Sequence, residues 1–135
     1  MSLPRFRTLA RGGDLRIAVW GDDTEDLLAN AVLAVTRAAL GTARRTGPKM
    51  RAPIRPWPAD LPSQLVRAAN EALFMIFHRG SLPVGLELHG GGATLLLAPL
   101  PAGCTPHLEI KAATYHDLRP GRRKGRLAAT ITLDL

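Results

Sequence analysis

The run VGLELHGGGATLLLAPL, residues 84–100, marks the point where the apolar pattern changes from helical spacing to a period of two. Its arms, VGLELHG and ATLLLAPL, flank the turn Gly90, Gly91 and Gly92, which predicts a β-hairpin. A second hairpin is predicted after it. HLEIKAATYHDL (107–118) forms one arm, RPGRRKG (119–125) the turn and RLAATITLDL (126–135) the other arm.

Upstream of residue 84 the pattern favours helices. EDLLANAVLAVTRAAL places Leu28, Ala31, Val32, Val35 and Ala39 on one face, with Asp23 or Thr24 available as a cap and Gly41 as a stop. LPSQLVRAANEALFMIFH carries Leu65, Ala69, Leu73 and Ile76 on one stripe, begins at Asp60 and ends at Gly80, with Pro83 just beyond. Before the first helix, Leu15, Ile17 and Val19 alternate with Asp14, Arg16, Ala18 and Trp20, a half-buried strand. Between the helices the Pro/Gly-rich stretch 41–60 allows only a short or edge strand near Met50 to Ile54. The order predicts an α+β fold, with two helices packed on one side of a largely antiparallel (mixed) sheet. One domain over residues 1–135 is expected, without internal repeat or linker.

The chain has 135 residues, 46% of them hydrophobic, enough for one ordinary core. Its single cysteine, Cys104, excludes an internal disulfide, and the opening MSLPRFRTLARGG has no apolar run suited to a signal peptide or anchor, so a cytoplasmic protein without membrane contact is expected. The net charge of +7 is concentrated in Arg44, Arg45, Lys49, Arg51 and Arg55, and again in Arg119, Arg122, Arg123, Lys124 and Arg126. Such clusters attract nucleic-acid phosphates, or they are simply solvated turns. One Tyr, three Phe and two Trp supply a poor stacking platform for single strands.

The polar residues of IKAATYHDL (110–118) divide between strand faces, Lys111 and Tyr115 on one and His116 on the other. With the turn centred on Arg122 and Arg123, Lys111 faces Asp134 across the hairpin, at ~5 Å between Cβ atoms. If the first and last strands are neighbours, Asp14, Asp134 and the carboxylate of Leu135 converge on Lys111. Like charges ~4 Å apart repel by about 4 kcal/mol at an effective dielectric near 20, so the cluster would be relieved by protonation or by a hard cation such as calcium or magnesium. The plainer alternative for Lys111 and Asp134 is an ordinary cross-strand ion pair, for Asp14 a strand-start cap, for Tyr115 a half-buried amphipathic residue and for His116 a hydrogen-bonded sheet residue.

IKAATYHDL closely resembles the KA(V/I)TYH segment of the archeases, small proteins that assist the GTP-dependent tRNA-splicing RNA ligase. DLRIAVWGDDTEDLLANAVLAV, LVRAANEALFMIFHRG and the closing LDL resemble further pieces of that family in the matching order. The resemblance implies an archease-like fold and a non-catalytic cofactor that promotes guanylylation and multiple turnover of the ligase during tRNA splicing. It also implies a divalent metal ion, calcium or else magnesium, held by Asp14, Asp134 and Leu135. A role in ligase activation is implied for Lys111, which Tyr115 and His116 accompany in the segment. Where the family usually carries an acidic residue and His-Thr-Ala before the metal-binding aspartate, this chain has Ala10, Arg11, Gly12 and Gly13. The alternative function is a small basic RNA-binding module using the arginine clusters. A hydrolase built on Lys111, Tyr115 and the aspartates lacks any nucleophile motif, P-loop or histidine pair.

Overall fold

The computed structural model describes residues 5–45, 47–114, 120–123 and 125–135. Helix α1 spans Thr24–Leu40, and every residue from Leu27 to Thr36 is buried. A helix covered on all sides must lie between layers, and the layers here are two sheets. In chain order the strands are β1 (Phe6–Arg11), β2 (Asp14–Gly21), β3 (Met50–Ile54), β4 (Ser81–His89), β5 (Gly92–Pro99), β6 (Ala112–Thr114), β7 (Gly121–Arg123) and β8 (Arg126–Asp134), with helix α2 over Leu61–Arg79. One sheet has the order β1-β2-β8-β6, with β7 also pairing β8, and the other the order β3-β5-β4. All pairings among the described residues are antiparallel.

The α+β class agrees with the sequence reading, but the strands divide between two sheets. The reason is the girth of α1, whose apolar surface needs cover on more than one side: it packs against β2 of the first sheet and β4 of the second. Helix α2 closes the arrangement against α1, β4 and β6. Its apolar stripe of Leu65, Ala69, Leu73 and Ile76 is buried as the spacing predicts.

Both helices carry the predicted caps. The Asp23 carboxylate accepts from Asp26 N at 2.8 Å, and Gly41 ends α1 in the left-handed region at φ 77°. Asp60 caps α2 through Ser63, accepting from its hydroxyl at 2.8 Å and its amide at 3.1 Å. Those two hydrogen bonds, the hydroxyl's first, hold the Asp60 carboxyl below the usual aspartate range. A carboxyl depressed on folding contributes stability above its unfolded value, about 3.9, and loses it as the pH falls through the lower folded value. Asp60→Asn is therefore expected to weaken the acid dependence of unfolding below about pH 4, read from melting temperatures along a pH series.

Three strand features depart from the sequence reading. β1 extends the sheet beyond the predicted first strand. Its alternation is broken by a register shift between Thr8 and Ala10, which leaves Leu9 exposed. β4 begins at Ser81 rather than after Pro83, and a register shift between Pro83 and Gly85 accommodates the proline. The predicted long arm 107–118 contributes only three described strand residues, those of β6.

Gly21 joins β2 to the start of α1 at very close range. A Cβ built there would lie 2.4 Å from Leu27 N and 2.7 Å from Leu27 Cα. No helix of the described residues is long and apolar enough to cross a membrane.

Candidate functional site

The core side of the β2–β8 ladder fixes its register. Leu15, Ile17 and Val19 face Leu133, Ile131 and Ala129 in turn, and all six are buried. A slip of one residue would turn these side chains to the other face, so the apolar pairs also determine what meets on the polar side. There Asp14 stands directly opposite Asp134, and Arg16 opposite Thr132. The expected meeting of the first and last strands is thus present, with Leu135 following at once. Asp14 is half-buried and Asp134 exposed.

β6 supplies the third wall, in a register one residue away from the predicted one. Asp134 faces Ala112, not Lys111. Lys111 instead donates its main-chain N–H to the Asp134 carbonyl at 2.8 Å, and its side chain is exposed. Among the described residues no ion pair joins Lys111 to either aspartate, so the simple cross-strand pair is not formed. The physical reason lies in the hairpin. β7 pairs β8 with Arg123 opposite Arg126, and seven steps of chain separate Gly121 from Thr114, against four between their partners Ala128 and Thr132. The arm therefore does not run in one register from the turn to the site. Tyr115 and His116, predicted to accompany Lys111, lie outside the described residues, as do Arg119 and Lys124.

A residue that the sequence reading passed over holds β6 in place. The Asn70 amide on α2 donates to Ala113 O at 3.2 Å and accepts from Ala113 N at 2.8 Å. One side chain thus does the work of a neighbouring strand for both polar groups of a buried residue. The only sequence signal was a polar residue at the edge of the α2 apolar stripe, which is commonplace. Asn70→Ala leaves both groups unsatisfied and is expected to cost about 2–3 kcal/mol, with faster amide exchange at Ala113 than at distant strand positions. Chemical denaturation and hydrogen exchange would measure the two effects.

Next to the acidic pair, Thr132 and its cross-strand partner Thr114 have buried hydroxyl oxygens without a hydrogen-bond partner among the described residues. Buried hydroxyls in this state need a polar partner such as water. The facing carboxylates of Asp14 and Asp134 make this an oxygen-donor position, with Arg16 the adjacent polar-side residue of β2. It suits a hydrated hard cation and lacks the nitrogen and sulfur ligands that zinc favours. The described residues contain no group of three or more His, Cys, Asp or Glu placed to hold a metal, so water or main-chain oxygen would have to complete the coordination.

The first basic cluster is partly engaged within the protein. Arg45 donates to Asp26 at 3.0 Å and to Asn30 at 2.6 Å, and Arg51 pairs with Glu87. Arg5 joins the same acidic corner through Asp22 at 2.9 Å and Asp26 at 3.2 Å. Its hydrogen bond holds the Asp22 carboxyl below the ordinary range. Guanidinium groups committed to carboxylates are less available to phosphates, which weakens the case for an RNA-binding surface at this cluster.

Comparison with known proteins gives a consistent picture. The profile of the Archease protein family (MTH1598/TM1083) matches residues 6–135. Among solved structures, protein 1598 of Methanobacterium thermoautotrophicum is similar with a TM-score of 0.71 at 21% identity, covering 98% of this chain and 100% of the other. A Thermotoga maritima protein described as an archease, possible chaperone, is similar with a TM-score of 0.62 at 19% identity, covering 96% of each chain. No curated protein matches the chain.

Proposed function

This chain belongs to the archease family, and from that premise we propose that it is a non-catalytic partner of the GTP-dependent tRNA-splicing RNA ligase, promoting guanylylation and multiple turnover. The observation that carries the reading is the register of β2 on β8, which sets Asp14 opposite Asp134 and brings Lys111 to the Asp134 main chain. These are the residues that the family resemblance implicates. Asp14 and Asp134 meet on the polar side of a sheet whose other side is core, and Lys111 reaches them through its main-chain N–H from just ahead of β6.

Asp14, Asp134 and an oxygen of Leu135 would hold a divalent cation, calcium or magnesium. When bound, it supplies positive charge that can offset phosphate oxygens. Lys111 contributes the second positive group. Its exposed ammonium has no ion-pair partner among the described residues and is available to a nucleotide phosphate on the ligase. Asp14 and Asp134 would orient the cation, and the β6–Asn70 contact holds the strand that Lys111 leads into. The mechanism needs no nucleophile from this chain, because charge placed where phosphate charge develops is enough to lower a barrier.

The test combines the protein with the RNA ligase of its own organism, GTP and a divalent cation, and follows joining over many turnovers. Faster turnover with the protein present is expected, and turnover that does not change on its addition overturns the reading.

The cation has its own readout. Like charges directly opposed across strands destabilise by up to ~1 kcal/mol, so in chelator Asp14→Asn is expected to melt above the parent. With calcium at about 100 times its dissociation constant the parent gains about 2.7 kcal/mol, a gain the variant lacks. Equal responses of the two proteins to calcium in a thermal melt would remove Asp14 from the ligand set.

A further inference from the structure

Ala18, Trp20, Ala128 and Thr130 share the sheet face of Asp14 and Asp134 and lie toward the other end of the β2–β8 ladder. All four are half-buried. The helices pack on the opposite face, where Leu15, Ile17 and Val19 join them in the core, and none of these four side chains belongs to that core. The other tryptophan, Trp57, does pack against it. Among the described residues the Trp20 ring has no aromatic or cationic contact, since the stacked pair is Phe74 with His78 and the cation over a ring is Arg79 on Phe74.

The main chain beneath this ring is fixed. Trp20 N donates to Arg5 O at 3.0 Å, and the buried Asn30 donates from its amide to Trp20 O at 2.8 Å. Arginines flank the ring on both neighbouring strands. Arg7 on β1 stands opposite Ala18, and Arg126 on β8 lies two residues before Ala128, the partner of Trp20. Both are therefore diagonal neighbours of Trp20, a separation that long side chains span. Both are exposed, and among the described residues neither has a carboxylate ion-pair partner, whereas Arg5 is committed to Asp22 and Asp26. Thr130, opposite Ala18, adds a hydroxyl that makes no hydrogen bond among the described residues.

An aromatic ring set between guanidinium groups, with a hydroxyl beside it, matches a nucleobase, its flanking phosphates and the ribose 2′-hydroxyl. We propose that this face of the first sheet binds a short single-stranded segment of RNA, with one base stacked on Trp20 and the neighbouring phosphates at Arg7 and Arg126. The rise of β2 puts Trp20 about 20 Å from Asp14, roughly two Debye lengths at 0.1 M salt, so the acidic pair does not repel a strand held there. The inference goes beyond the ligase reading and does not rest on it, because it concerns binding by this chain alone and uses neither Lys111 nor the aspartates.

The test titrates a labelled oligouridylate of about ten nucleotides with the full chain at low salt, followed by fluorescence anisotropy, with amide chemical shifts to place the ligand. The deoxyuridine oligomer of equal length and polyglutamate are titrated in parallel. The RNA is expected to bind with a dissociation constant below ~100 μM and to shift Ala18, Trp20, Ala128 and Thr130. The deoxy oligomer should bind about threefold or more weakly, the scale of one lost hydrogen bond. Trp20→Ala should weaken the RNA by at least about fivefold, and Trp20→Phe by less. Arg7→Gln and Arg126→Gln, at exposed positions where the melting temperature should hold, should each lower both the affinity and its salt dependence, and by more than Arg44→Gln in the other basic cluster. These two variants test the surface even if Trp20→Ala does not fold. No binding of RNA by the parent, shifts confined to other surfaces, affinity unchanged by Arg7→Gln and Arg126→Gln, equal binding of the deoxy oligomer, or tighter binding of polyglutamate, the mark of an acidic protein partner, would each overturn the proposal.

Discussion

Lys111→Ala is expected to reduce stimulation of the RNA ligase by about 100-fold, the scale seen when one preorganised charge-stabilising group is removed from a reacting centre. The same substitution should leave the fold intact. Lys111 is exposed, its side chain holds no ion pair among the described residues, and its main-chain bond to Asp134 survives any substitution except proline. Lys111→Arg keeps the charge and should retain a larger share of the stimulation. Multiple-turnover joining assays beside thermal melts separate the possibilities. A structural lysine would lose stability and keep activity, and that outcome would remove Lys111 from the activating machinery.

Gly21→Ala is expected to be the most damaging small change in the fold, at about 3 kcal/mol or more. Overpacking usually costs about 1–3 kcal/mol because side chains can move aside. Here the obstacle is the main chain of Leu27, at 2.4 Å and 2.7 Å from the new carbon, and main chain inside a capped helix cannot rotate away. The strain would fall on the junction of β2 and α1, so it would also disturb the ladder that carries Asp14. Urea denaturation of the variant, with circular dichroism to check helix content, measures the loss. A midpoint within error of the parent would show that β2 can shift away from α1.

Much of this fold is legible in the sequence because its signals are strong and local. Asp23, Gly41, Asp60 and Gly80 delimit the two helices, and the apolar spacing identifies their buried faces. The alternation of Leu15, Ile17 and Val19 and of Leu133, Ile131 and Ala129 marks the core faces of β2 and β8, whereas their adjacency, only a condition in the sequence, is established by the ladder itself. β1 is harder to read because it is an edge strand with one wet face and a bulge at Leu9 that interrupts its period. The partition into two sheets depends on how much of α1 needs covering, which no single stretch reveals. A register counted from the turn sets Lys111 one residue away from its place, because the strands pair differently near the site than at the turn. Asn70 was invisible for a different reason: its partner is a backbone peptide far along the chain, and backbone groups leave no mark in composition.

The β2–β8 ladder also constrains the order of events during synthesis. Asp14 leaves the ribosome well before Asp134, so the carboxylate pair cannot assemble until β8 has emerged. Until then β2 has no β8 to cover its free edge, and only the local β1–β2 hairpin and the helices can take shape. The proposed cation site therefore cannot exist before β8 has paired with β2.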